Sequence, residues 1–381
     1  MMRFIAVAAC FAWSAHAGAQ QEGDSIILKD GNKEVKCKVT SATMQGVQYT
    51  EGGKAKSLPP EQVRDIFLTA DEPESLRKAN LASDQKNWDK AIPLYIAALE
   101  DVDKQKCRTM QREFVLFNLA NAQLHKGSAD DALQTLKRLR KECKGGWMTR
   151  KSYDFSMDVA RKKGEAELME VLAEMKTEPQ PLGGEAELQI ARSKYAKQDY
   201  KGAQEIAARL SRTSGQPYVS TAKVLSIRCL RALKDMAGLK TVCEEVMANK
   251  ATAEMSLLQA AASGLGDILM ADPSNRREAL LAYAQAIAMG PPPKEEGSDD
   301  YASALYNAAK CYLALATAPK VKEEVLKDYR ARAVLYFRET VENYKTSAWG
   351  KPAETELASL GLGPKPKEAP KEPKKPEKPE K

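Results

Sequence analysis

A small-large-small rhythm of side chains recurs along most of this chain, and it constrains the fold more than any other feature. Ala91, Tyr95 and Ala98 give its clearest form, on one face of a helix at steps of four and three residues. Ala120 followed by Ala132, Leu136 and Leu139 repeats the cadence, as does Ala191 followed by Tyr200, Ala203, Ala207 and Leu210. Looser copies are Ala166 with Ala173, Leu239 with Cys243 and Val246, Ala279 with Tyr283 and Ala286, and Ala333 with Phe337 and Val341. Taking Ala91, Ala132, Ala166, Ala203, Leu239, Ala279 and Ala333 as equivalent anchors, successive intervals are 41, 34, 37, 36, 40 and 54 residues. A helix pair of this length cannot bury its own apolar stripe, so it must stack on the next. Small residues let two helices approach, and a large one fills the gap beside them. An ordinary helical bundle is the alternative, but it has no need of the 12-residue step from Ala120 to Ala132 and again from Ala191 to Ala203.

These residues resemble the tetratricopeptide repeat, over about 285 residues, strongly in three copies and loosely in four. Alanine stands at Ala79, Ala120 and Ala191 where the family carries glycine, and Glu170 falls in a large-residue slot of the third copy. The resemblance implies a mainly α fold, a right-handed α-solenoid of antiparallel helix pairs. It further implies a non-enzymatic scaffold that holds a protein or peptide partner in a concave groove lined by the first helices. The groove residues it points to are Asn118, Asn121, Arg192, Lys194, Arg228, Arg231, Asn307 and Lys310.

Breakers punctuate the pattern. Glu178-Pro179-Gln180-Pro181-Leu182-Gly183-Gly184 divides the repeats into two lobes, 72–178 and 185–360. Gly290-Pro291-Pro292-Pro293 opens a loop before Tyr301, and Pro319 to Asp328 lengthens the last hairpin.

Ahead of the repeats, residues 24–68 have a different texture. Ile26–Leu28 is a strand candidate, Asp30-Gly31-Asn32 a turn, and Val35, Cys37 and Val39 alternate with polar residues. Gly46–Thr50 forms a further run ending at Glu51-Gly52-Gly53. Short strands of this kind predict a small curled sheet, closed by Pro59-Pro60 with Val63 and Ile66, that relies on the first helices for part of its core. The segment resembles the SH3-like barrels that precede repeat regions in some exported bacterial proteins.

The two ends read as non-core segments. Arg3, the apolar run Phe4–Trp13 and the small residues through Ala19 have the order of a cleaved secretory leader over 1–19, with the mature start at Gly18 or Gln20. Val7-Ala8-Ala9-Cys10 resembles a lipoprotein processing site, and a buried N-terminal helix is the remaining alternative. The apolar run is about half of what a membrane-crossing helix requires, so the chain does not read as an integral membrane protein. Residues 364–381 hold six prolines, seven lysines, four glutamates and one alanine, a composition that predicts an extended, solvated, basic arm.

Chemistry is sparse. Beyond the leader, His125 is the one histidine, placed at a helix end, and no Gly-x-Ser-x-Gly elbow accompanies it. No Cys-x-x-Cys or His-Glu-x-x-His spacing exists for zinc, and Ser263-Gly264-Leu265-Gly266 lacks a phosphate cradle, so no metal and no cofactor is expected. Cys37, Cys107, Cys143, Cys229, Cys243 and Cys311 are too dispersed for a disulfide-knotted fold. Cys229 and Cys243, on neighbouring helices, are the candidate bridge; the alternative is that most act as small buried apolar groups. A net charge of +7 with interspersed signs gives no nucleic-acid footprint, and Lys137-Arg138-Leu139-Arg140-Lys141 spreads around a helix with Leu139 in the core. The function expected is an interaction scaffold of the bacterial cell envelope, periplasmic or otherwise extracytoplasmic. The alternative is a structural spacer touching cell-wall or surface polymer through the β segment and the basic arm.

Overall fold

The computed structural model describes residues 23–70, 72–105, 108–291, 298–317 and 322–362. The expected leader with Cys10, the basic arm and Cys107 lie outside them. The chain forms two compact units, Met1–Val171 and Leu172–Lys381.

In the first unit, β1 (Ser25–Leu28), β2 (Glu34–Lys36) and β6 (Val63–Phe67) pair in the order β2-β1-β6. β3 (Lys38–Thr43), β4 (Gly46–Glu51) and β5 (Lys54–Leu58) form a second sheet in sequence order. All ladders are antiparallel. The single curled sheet of the sequence reading is therefore two three-stranded sheets, and among the described residues no ladder joins them into a barrel of the SH3-like kind. Period-two alternation turns Ile26, Val39, Val47 and Ile66 into one shared core, completed by Met110 and by half-buried Phe114 and Trp147 from the helical part. So small a β layer cannot shield its own interior, and the helices supply the missing wall.

Two helix pairs follow, α1 (Glu74–Asp84) with α2 (Trp88–Lys104) and α3 (Thr109–His125) with α4 (Ala129–Glu142), then α5 (Thr149–Lys163), which packs against α4, and α6 (Glu165–Met175). α6 carries the boundary between the two units. The second unit continues with α7 (Leu182–Ala196) and α8 (Tyr200–Leu210), α9 (Val219–Leu233) and α10 (Met236–Ala248), α11 (Met255–Met270) and α12 (Arg276–Ala288), then α13 (Ser298–Leu315), α14 (Glu323–Asn343) and α15 (Gly350–Ser359). Each helix from α7 on packs against the next, and α11 also lies beside α9 and α13. The fold is mainly helical, of the α-solenoid type built from antiparallel tetratricopeptide-like pairs, preceded by a small β domain.

The anchor residues explain the pairing. Ala91, Ala132, Ala203, Leu239, Ala279 and Ala333 are fully buried, and Tyr95, Leu136, Ala207, Cys243, Tyr283 and Phe337, four residues on, are buried beside them. The third copy departs: Ala166, Glu170 and Ala173 are exposed, and α6 buries Val171, Leu172 and Met175 instead. α5 and α6 are joined by the single residue Gly164 (φ +148°), a shorter connection than in the other repeats, which displaces the register.

Four hairpins share a turn. Lys86, Gly127, Gln198 and Lys234 adopt positive φ directly before Asn87, Ser128, Asp199 and Asp235. Asn87, Asp199 and Asp235 then cap the second helix by accepting from the backbone N–H three residues on, at 3.2, 3.0 and 2.9 Å. The left-handed residue reverses the chain and the cap satisfies an orphan donor of the new helix.

Candidate interaction surfaces

In the second unit the first helices α9, α11 and α13 carry a polar network. Arg228 on α9 donates through Nε and Nη2 to Asp300 Oδ2 on α13, at 2.9 and 2.7 Å. One turn later, Arg231 reaches Asp267 Oδ2 on α11 at 2.5 Å and Asp300 Oδ1 at 3.1 Å, and donates to Ser303 Oγ at 2.6 Å. Asp267 also accepts from the Tyr283 hydroxyl at 2.6 Å and from Asn307 Nδ2 at 3.2 Å. Burial opposes the charge on Arg231, but Asp267 and Asp300 outweigh it and raise its pKa.

Side chains 72 positions apart meet directly here, on α9 and α13, with α11 packed against both, and α11 in turn lies close to the second helices α10 and α12. A Cβ at Gly264 would lie 2.7 Å from Cys243 Sγ, and one at Gly266 would lie 2.5 Å from the Tyr283 ring. The glycine pair in Ser263-Gly264-Leu265-Gly266 thus serves close helix approach.

The residues to which the resemblance pointed divide by place. Arg228, Arg231 and Asn307 come together in this network. Lys310 is half-buried and pairs with Glu356 of α15 at 2.8 Å. Lys194 pairs with Asp199 across the α7–α8 turn at 2.7 Å, and Arg192 is half-buried on the same helix. In the first unit, Asn118 and Asn121 are half-buried on α3 and have no side-chain hydrogen bond among the described residues. Cys229 and Cys243 are free thiols, a correction to the candidate bridge. Cys229 packs toward Ala203 and Ala207, whereas Cys243 belongs to the next cluster with Leu239 and Leu257, so α9 separates their surroundings. Burial pushes both thiols up to about 12.

The first unit holds a cleft of about 720 Å3 where β3 meets the start of α3 and the end of α4, lined among others by Ser41, Thr43, Arg108, Glu113, Lys141 and Lys144. Behind it, fully buried Asp24 accepts backbone N–H groups of Val39 and Ala70, both at 2.9 Å, and pairs with Arg108 through two contacts. Arg108 in turn donates to the carbonyls of Val39 and Ala70 at 2.7 and 2.5 Å. This latch ties the β domain to α3. Glu113, 2% exposed, accepts the Met148 N–H at 3.0 Å, and burial pushes its carboxyl up to about 7. It anchors the loop whose Gly146 bridges Thr43 of β3. Nothing periodic marks Asp24, Arg108 or Glu113 in the sequence; only their partners reveal them.

His125 stacks on Trp88, ring centroids 4.8 Å apart. In the basic run of α4, Arg138 pairs with Glu142 at 2.8 Å, while Arg140 is buried, donating to Ser156 Oγ at 2.8 Å and lying 4.4 Å over the Tyr153 ring. Among the described residues no group of three or more His, Cys, Asp or Glu side chains is placed to hold a metal ion, and no helix is long and apolar enough to cross a membrane.

No protein-family model matches the chain, and no curated protein matches it. Among solved structures it is similar to a human IFIT1 dimer with m7Gppp-AAAA, at 17% identity and a TM-score of 0.33, covering 65% of each chain. It is also similar to a Podospora anserina putative kinesin light chain with nearly identical TPR-like repeats, at 16% identity and a TM-score of 0.23, covering 56% of this chain and 92% of that one.

Proposed function

We propose that the chain is a non-catalytic interaction scaffold that holds a protein or peptide partner against the first helices of its repeats. The observation that carries this reading is the convergence of α9, α11 and α13, which brings Arg228, Asp267 and Asp300 onto one face. A face assembled from successive repeats is rigid before any partner arrives, and rigidity lowers the ordering cost of binding. Asn118 and Asn121 on α3 offer amide groups not engaged by other described side chains. Such a surface specifies shape and polarity, and the partner's chemistry follows from it only in outline.

The reading extends to location: the leader-like residues 1–19 support export to the bacterial envelope. Mass measurement of the mature N-terminus in a fractionated bacterial host is expected to give Gly18 or Gln20 outside the cytoplasm; an intact Met1 in the cytoplasm would contradict it. The binding claim is tested with a photo-crosslinking residue at Asn118 or Asn121, and at exposed Lys90 on a second helix as control. A discrete protein adduct from the α3 positions and none from Lys90 supports it. Equal, diffuse labelling at all three positions contradicts it.

A further inference from the structure

The cleft of the first unit carries polar groups that its own fold leaves unused. Its volume, about 720 Å3, falls among those that hold small organic molecules, about 300–1,000 Å3. Ala42, Met110 and Cys143, all buried, supply apolar lining. Beside them, the hydroxyls of Thr40, Ser41 and Thr109 make no hydrogen bond among the described residues.

The charge of the lining is one-sided once internal pairs are set aside. Arg108 is held by Asp24, and Glu142 by Arg112 and Arg138 at 2.6 and 2.8 Å. Lys141 and Lys144 remain: both are exposed, and neither has an ion pair among the described residues. Buried Glu113 adds a carboxyl to the same wall. Its Oε2 takes the Met148 N–H, whereas Oε1 has no hydrogen-bond partner among the described residues and sits where a side chain at Gly146 would collide with it. Burial pushes this carboxyl up to about 7, so near pH 6 it mostly keeps its proton and offers a donor.

Shape narrows the occupant. β3 is an edge strand, but its outer side is engaged at both ends: Val39 by Asp24 and Arg108, and the Met44 N–H by the Gly145 carbonyl at 3.0 Å. An added strand needs such an edge free along its length, so the stretch between suits a compact molecule. Glu142 on the same lining opposes a doubly charged phosphate more than a singly charged carboxylate.

We infer that this cleft binds a small organic carboxylate, free or as the C-terminal residue of a peptide. Lys141 and Lys144 meet its charge, and Thr40, Ser41, Thr109 and the Glu113 carboxyl meet its polar body. This inference is independent of the partner-binding reading above.

The test is a ligand-detected NMR titration of the full chain near pH 6, with N-acetylalanine, its neutral methylamide, N-acetyl-trialanine and inorganic phosphate as probes. N-acetylalanine is expected to saturate below about 10 mM, and the methylamide to bind about tenfold more weakly or worse. Lys141→Gln combined with Lys144→Gln weakens the carboxylate by about tenfold or more, with an unchanged thermal midpoint. Lys137→Gln, one helical turn back and outside the lining, leaves it unchanged. Tighter binding of N-acetyl-trialanine than of N-acetylalanine assigns the site to a peptide C-terminus, and equal or weaker binding assigns it to a free acid. Equal binding of the carboxylate and the methylamide, full affinity in the double lysine variant, or no saturation by either acid overturns the inference. Phosphate binding more tightly than both acids overturns the ligand class.

Discussion

Both units use a buried arginine–aspartate pair, and they use it for different ends. In the first, Asp24 and Arg108 join a β strand to a helix start, and the face of α3 keeps Asn118 and Asn121 without side-chain partners. In the second, Arg228, Arg231, Asp267 and Asp300 join first helices to one another, so the polar groups of that face hold each other. The same helical rhythm therefore sets the backbone without setting the chemistry of the surface. A pair buried this deeply gains little net stability over an apolar substitute, but removing one partner is costly, which makes it a device for register.

The largest effect is expected at the latch. Asp24→Ala strands Arg108 and two backbone donors, and costs about 3–5 kcal/mol. Urea unfolding with hydrogen exchange read segment by segment is expected to place the loss at β1, β3 and the start of α3. A loss spread evenly through both units breaks the contrast.

Next comes Glu113, beside the latch. Its folded pKa is raised by burial from 4.5 to about 7, so the folded form holds the proton more tightly than the unfolded form. Stability from this group is full below about pH 4.5, falls as pH rises to about 7, and is level beyond. Glu113→Gln removes that fall and is expected to stabilise the first unit by about 2–3 kcal/mol at pH 8. Denaturation midpoints across pH 4–8 that are parallel in wild type and variant would contradict it.

In the second unit, Gly266→Ala drives a methyl group into the Tyr283 ring and is expected to cost about 1–3 kcal/mol, seen as a lower thermal midpoint. The smallest effect is a gain. Lys234 holds a left-handed turn at φ +57°, and Lys234→Gly is expected to stabilise by about 0.5–1 kcal/mol in urea titration, where a loss would mean that the turn is not built as described.

Much of the helical fold was legible because stacking demands small residues at fixed steps, and Ala91, Ala132, Ala203, Ala279 and Ala333 are all buried where that logic puts them. It failed at Ala166, where a one-residue turn outweighs the spacing. The strands were legible from alternation, but their division into two sheets was not, since pairing partners leave no local mark. The candidate surface was half legible. Position on a first helix singled out Arg228 and Arg231, yet their acidic partners sit on other helices, and helical spacing cannot report a contact between α9 and α13. Asp24 and Arg108, 84 residues apart, escaped for the same reason.

Successive first helices lie side by side, and a double-mutant cycle on Arg228 and Asp300 tests that most directly. With Arg228→Ala, Asp300→Ala and the double variant measured by urea unfolding, direct contact predicts a coupling energy of about 1–3 kcal/mol. Effects that add to within about 0.5 kcal/mol would mean that the two residues do not meet, and that the stacking of α9, α11 and α13 is wrong.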